Sequence, residues 1–214
     1  MGTHVKGKDP PRTRRAERAR LTRDRILRAA TDLFLDLGYA AATIESIAAR
    51  ADVAVETVYS RFGNKARLVE AILEPAIVGA DDGRDIFDQP EIAEIRQCRD
   101  QRVQVRLLSR FSRGILERTY TAHRILQTAA ASDPNAAELQ RRDTKRRSDG
   151  QRMYIEMLVA NGPLRNGVSV GHAADTYSAL SNPSTYAFLT RDQGWSADQF
   201  EEWLDDSLSQ LLLP

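Results

Sequence analysis

Thr57, Tyr59, Ser60 and Arg61 fall within five residues of one another, three hydroxyls and one permanent cation. These are the groups that donate hydrogen bonds to phosphate oxygens and to base edges. Val58 and Phe62 lie four apart in the same run, so a helix there buries those two and turns the polar groups outward. The sequence offers little for covalent chemistry. It has no nucleophile elbow and no phosphate loop, and its three histidines show no metal-ligand spacing. No catalytic residue, metal or cofactor is assigned, and the chemistry to expect is non-covalent binding of a polyanion rather than turnover.

Those groups need elements to hold them. Thr43 is a natural N-cap for a short helix whose Ile44, Ile47 and Ala48 can bury one side, with Glu45 and Ser46 favouring the same end. Arg50 to Val53 interrupts the pattern. Asp52 suits a turn and can cap the next helix, Val53 can plug the corner, and that second helix begins near Ala54. The spacing predicts a helix-turn-helix over 43–62, a reader of the DNA major groove. From Thr22 to Leu37, Ile26, Ala29, Ala30, Leu33, Phe34 and Leu37 form one helical stripe with Gly38 as the stop, a third helix able to brace the other two. Residues 1–28 hold ten basic side chains against three acidic ones, a local excess of +7. A basic flexible arm over 1–21 suits phosphate or minor-groove contact, with Arg12, Arg14 and Arg15 as candidates; the alternative is a solubilising tail.

The run from Arg23 to Leu73 reads LFLDLGY at the end of one helix, then T-I-x-x-I-A, then T-V-Y-x-x-F-x-x-K-x-x-L. It resembles the TetR family of one-component transcriptional regulators over about fifty residues, and the likeness fades beyond Leu73. The resemblance implies an all-α homodimer with a three-helix helix-turn-helix DNA-binding domain (22–67) and a larger helical domain (68–214) for dimerisation and effector binding. By position it makes Thr43, Thr57, Tyr59, Ser60, Arg61 and Lys65 the DNA contacts. The chain departs from the pattern with Asp52 at a turn usually held by glycine, and with Ala54 and Val55 where a serine and a basic residue commonly open the recognition helix. Glu56, in the first turn, suits the helix dipole.

At 214 residues the chain has room for one large or two modest domains. Its net charge of +1 conceals an asymmetry: residues 1–67 carry 14 basic and 8 acidic side chains, residues 68–214 carry 17 and 22. The single cysteine, Cys98, excludes an intramolecular disulfide, and no apolar run suggests a membrane span or signal peptide, so a cytoplasmic protein is expected.

After the motif the pattern is helical, with no alternation that suggests a sheet. A connecting helix is predicted over Asn64 to Val78, loosened at Gly79 to Gly83. A polar stretch with Pro90 then precedes helices over Arg99–Thr119, Ala122–Ala131 and Asn135–Ala160. Arg96, Arg99, Arg102, Arg106, Arg110 and Arg113 advance by three or four, either as a solvated face or as a wall for an acidic effector. Arg141, Arg142, Lys145, Arg146 and Arg147 read as solvent-facing.

Phe87, Phe111, Tyr120, His123, Tyr154, Met157 and Tyr177 could line an amphipathic effector cavity, or be core; His123 could meet a carboxylate or be structural. Toward the C-terminus, Tyr177, Leu180, Tyr186, Leu189, Phe200, Trp203, Leu204 and Leu208 are candidate subunit contacts, or else cover their own domain. The expected partners are duplex DNA, a small molecule and a second copy of the chain. An adaptor or an architectural DNA-binding protein is the competing reading.

Overall fold

The computed structural model describes residues 11–78 and 89–214; of Pro11 to Thr13 and Val78 only the backbone is described. All regular structure among them is helical. The chain divides into two compact units, Met1–Leu68 and Val69–Pro214.

The first unit is built on α1 (Pro11–Asp36), α2 (Ile44–Arg50) and α3 (Val55–Phe62), and α4 (Lys65–Val78) begins within it. Ile26, Ala30, Leu33 and Phe34 of α1, Ile44 and Ile47 of α2, Val58 of α3 and Leu68 supply its core. The Phe34 and Tyr39 rings pack at 5.2 Å. Gly38 ends the first helix at φ 79°, the left-handed geometry glycine adopts without a steric cost. Leu37, expected in the core stripe, is 55% exposed because it lies beyond the last helical residue.

Two expectations need correction here. The segment expected as a flexible arm is helical from Pro11, since Arg, Ala and Glu are good helix formers and Glu17, Arg20 and Asp24 sit at i, i+3 and i+4 ion-pair spacing. Asp52 does not cap α3: the N-cap is Ala54, with no side-chain hydrogen bond.

The second unit contains α5 (Pro90–Gln97), α6 (Gln101–Ala130), α7 (Pro134–Val159), α8 (Val170–Leu180), α9 (Pro183–Ala187) running into one π-helical turn (Phe188–Asp192), and α10 (Ala197–Leu212). The predicted break after Thr119 is absent and α6 runs for 30 residues. No proline or glycine interrupts 119–122, and the Thr119 hydroxyl donates to the Ile115 carbonyl within the helix. Pro90 opens a helix at its first turn, where the missing N–H is harmless. The long helices α6 and α7 pack together, with α10 against α6 and α8 against α7, around Leu108, Ile155, Leu158, Tyr177, Phe200 and Leu204. A part-buried amide network fastens the end of α7: Asn161 donates to the Cys98 carbonyl (2.9 Å) and to Gln104 Oε1 (3.0 Å), while Gln104 donates to the Ile95 carbonyl.

The solvated-face reading of the arginine stripe holds at Arg96, Arg99, Arg102, Arg106 and Arg110, which are exposed, while Arg113 is half-buried. Arg96 lies in the last turn of α5 and Arg99 in the link before α6. On α6, Arg106 meets Asp205 at 3.5 Å, Arg110 meets Glu201 at 4.0 Å, and Arg113 meets Asp198 at 2.7 Å. The stripe is a ladder that sets the register of α10 on α6, its pairs half-solvated and individually weak. The expected subunit face is corrected in part. Tyr177, Tyr186, Phe200, Leu204 and Leu208 are buried within their own chain. Leu180, Leu189 and Trp203 pack partly against the same core. Phe188 and Leu211, 52% and 46% exposed, are the open apolar side chains of this end.

Candidate nucleic-acid interface and ligand cavity

Thr43 starts α2 through a reciprocal capping box, its hydroxyl accepting from the Ser46 N–H and its own N–H donating to Ser46 Oγ, both at 3.1 Å. The turn after α2 places Asp52 at φ 51°, the left-handed position where the family pattern has glycine. Arg25 holds this turn. Its guanidinium donates to the carbonyls of Ala51 and Asp52, the latter at 2.7 Å, and reaches the Asp52 carboxylate at 3.2 Å. By sequence Arg25 is only one of the ten basic side chains of residues 1–28; in the fold it fixes the corner between α2 and α3.

From that corner α3 presents its polar face. Val58 is fully buried and Phe62 half-buried, while Tyr59, Ser60 and Arg61 are exposed and Thr57 is half-buried. Tyr59 is 48% exposed, a high value for an aromatic ring with no solvent-side packing role. The Ser60 hydroxyl donates back to the Thr57 carbonyl at 3.2 Å. Arg61 Nη1 approaches the Ala19 carbonyl at 3.4 Å, so the end of α3 lies beside the basic stretch of α1, and the remaining guanidinium N–H groups face outward. Arg14, Arg15 and Arg18 share one exposed face of α1. The Arg12 side chain lies outside the described residues.

Lys65 departs from its expected role. Its ammonium donates to the carbonyls of Tyr39 (2.7 Å) and Ala42 (2.9 Å), reaches that of Ala40 at 3.5 Å, and rests 4.4 Å from the centre of the Tyr39 ring. It ties α4 to the 39–42 loop, and with its donors engaged there, this corner offers a phosphate the backbone at the start of α4, capped by Asn64. Lys65→Met keeps the aliphatic stem and removes these bonds. We expect amide exchange in residues 39–42 to accelerate about thirtyfold, the equivalent of about 2 kcal/mol; unchanged exchange would remove Lys65 from this role.

In the second unit a cavity of about 190 Å³ is lined by Phe111, Ile115, Leu116, Tyr154 and Tyr177, with Ile77, Ser112, His123, Arg146, Arg147, Gly150, Gln151 and Ser181. Of the candidate lining residues, Phe111, His123, Tyr154 and Tyr177 come together here. Tyr120 lines a second, more polar cavity of about 380 Å³, Met157 packs against the core, and Phe87 lies outside the described residues. The Ser112 hydroxyl donates to the Leu108 carbonyl (2.7 Å), so the Tyr177 phenol is the donor in its 2.6 Å bond to Ser112. Burial pushes that phenol up to about 12, which keeps it neutral.

The residue that sequence reading misses is Asp143. Its side chain is 2% exposed and accepts from Arg147 Nε (3.0 Å) and Arg146 Nη2 (3.3 Å), with His123 Nε2 at 3.1 Å. Burial alone would push its carboxyl up; the hydrogen bond and charge of His123, with Arg147, override this and hold it at about 2. Arg147, expected to face solvent, is half-buried against this acid, while Arg146 stays exposed as expected and reaches it from outside; the nearest signal is the i, i+3 and i, i+4 spacing from Asp143.

The family comparison falls on the segment that holds α2 and α3. Residues 26–72 match the model of the bacterial regulatory proteins, tetR family. No curated protein matches the chain at a significant level. Among solved structures, NalD of Pseudomonas aeruginosa, the secondary repressor of the MexAB-OprM multidrug efflux pump, is similar at 22% identity over 91% of this chain and 98% of its own, with a TM-score of 0.68. SmeT in complex with triclosan is 21% identical over 90% and 92% (TM-score 0.68). A protein of Saccharomonospora viridis described as a transcriptional regulator, in complex with choline, is 22% identical over 90% and 97% (TM-score 0.65). At these identities the structural likeness establishes the fold over nine-tenths of the chain. The family match is confined to residues 26–72. Among the described residues no helix is long and apolar enough to cross a membrane.

Proposed function

We propose that the protein is a homodimeric, ligand-responsive repressor that leaves a palindromic operator when a small molecule occupies its second unit. The observation that carries this reading is the exposed Tyr59, Ser60 and Arg61 face of α3, held from behind by buried Val58 and fixed at its corner by Arg25. Thr43, Thr57, the backbone at the start of α4 and the arginines of α1 complete the DNA contacts. Two copies hold their α3 helices about 34 to 36 Å apart, one turn of DNA, so each enters a successive major groove. Phe188 and Leu211 mark the end of the second unit offered to the partner copy.

The triclosan and choline complexes of structurally similar proteins support a ligand cavity in the second unit. One helix, α4, supplies Lys65 to the DNA-reading unit and Ile77 to the cavity. A ligand releases DNA only by its differential affinity for two arrangements of the dimer. The reading assigns no turnover, and a ligand is recovered unchanged after binding. Selecting duplexes from a random pool with the full chain tests the proposal: enrichment of a twofold-symmetric site is expected, and a pool that never enriches overturns it.

A further inference from the structure

The charged groups that line the apolar cavity are all cationic or imidazole: Arg146, Arg147 and His123. Among the described residues no carboxylate lines it. Asp143, which binds these three, faces the neighbouring polar cavity instead. His123, Arg147 and Gln151 line both cavities, so the cluster stands between an apolar chamber and a polar one. Two arginines against one carboxylate leave a net positive charge there even before His123 is counted.

The uncharged polar groups Tyr177, Ser112 and Gln151 of the chamber wall are already matched. Tyr177 donates to Ser112 and Ser112 to the Leu108 carbonyl, while Gln151 donates to the Ser181 carbonyl and accepts from Ser178. Hydrogen-bonding capacity left for a ligand is therefore concentrated at the arginines. Arg147 uses Nε on Asp143 and Nη2 on Thr144 at 3.4 Å, and Arg146 uses one Nη2 bond, which leaves several guanidinium N–H groups for an incoming acceptor. A carboxylate is the acceptor that matches a guanidinium fork. A cationic ligand would face like charge at close range, with no acid among the described lining residues to pair with.

We propose that this cavity selects an amphipathic monoanion, its short hydrocarbon chain among Phe111, Ile115, Leu116 and Tyr154 and its carboxylate at Arg146, Arg147 and His123. The proposal deepens the ligand-responsive reading and rests on it for its consequence at DNA. Bound this way, the anion competes with Asp143 for the same cations, so binding rearranges the contacts that join α6, through His123, to α7.

The test compares octanoate, octanol and octyltrimethylammonium on the full chain by titration calorimetry, with operator affinity measured on the same samples. Octanoate is expected to bind at least about tenfold more tightly than octanol, the worth of a charge-assisted hydrogen bond, and octyltrimethylammonium more weakly than either. Arg147→Gln is expected to bring octanoate down to the level of octanol while leaving octanol unchanged. Arg146→Gln, at a half-exposed position that tolerates substitution, is expected to do so in part. Asp143→Asn, which frees the arginines, is expected to tighten octanoate alone. Octanol binding as tightly as octanoate, arginine variants that weaken both equally, or no binding of any of the three overturns the proposal. If DNA binding persists in those cases, the anion assignment falls by itself; if sequence-dependent DNA binding is also missing, the regulator reading falls with it.

Discussion

Replacing Arg14, Arg15 and Arg18 together by glutamine is expected to lower operator affinity by two to three orders of magnitude at about 0.1 M salt. Each arginine that neutralises a phosphate contributes about 0.9 to the slope of log affinity against log salt. Three lost contacts flatten that slope by about 2.7, and near 0.1 M this corresponds to a few-hundredfold loss. Glutamine preserves helix propensity, so α1 persists to Pro11 and the change is one of charge. The three side chains are exposed on one face, and α1 passes the end of α3 at Ala19, where Arg61 reaches it. The loss should fall equally on specific and random duplexes, because phosphates carry no sequence. An unchanged slope, measured by fluorescence anisotropy across a salt series, would show that this face meets solvent only.

The second large effect belongs to Asp143. Asp143→Ala leaves Arg147, Arg146 and His123 gathered around a missing acid, and breaking a buried pair in this way costs about 3 to 5 kcal/mol. Trp195 and Trp203 both lie in the second unit, so tryptophan fluorescence follows its unfolding, and a midpoint lower by about 10 °C is expected. The pH dependence has a definite sign. The folded carboxyl sits at about 2, below its ordinary 3.8, so its stabilisation is fully present above about pH 4 and is lost as pH falls through 2. The shift corresponds to about 2 kcal/mol. The gap between wild type and Asp143→Ala should therefore narrow by that amount between pH 4 and 2. A constant gap would mean that Asp143 acts by packing alone.

The legible parts of this chain are those where local chemistry decides the outcome. Thr43 and Ser196 start helices because their hydroxyls reach N–H groups three residues on, and Asn182 caps α9 with its amide oxygen, relations contained in a few adjacent residues. Val58 and Phe62 turn inward and Tyr59 and Arg61 outward because helical period sorts them. The less legible parts depend on what lies across the fold. Lys65 and Arg25 look like phosphate cations until the fold brings backbone carbonyls from 26 or 27 residues away to meet them.

The arginine stripe of α6 shows the same limit. Its period is readable, but its partners Asp198, Glu201 and Asp205 lie about ninety residues on, and only the packing of α10 on α6 joins them. Phe200, Leu204 and Leu208 form a stripe that serves a subunit contact or a private core equally well in sequence; the structure gives it to the core. Asp143 is hidden because acids seldom lie this deep unless cations from other turns converge on them.

The central claim is that the outer face of α3 reads a duplex, and the most direct measurement is a footprint of wild type, Arg61→Ala and Tyr59→Phe on one selected site and on a scrambled duplex. Wild type should protect two half-sites one helical turn apart. Tyr59→Phe should weaken protection of both duplexes alike, and Arg61→Ala should reduce the preference for the selected site. Equal protection by all three proteins on both duplexes would contradict the account.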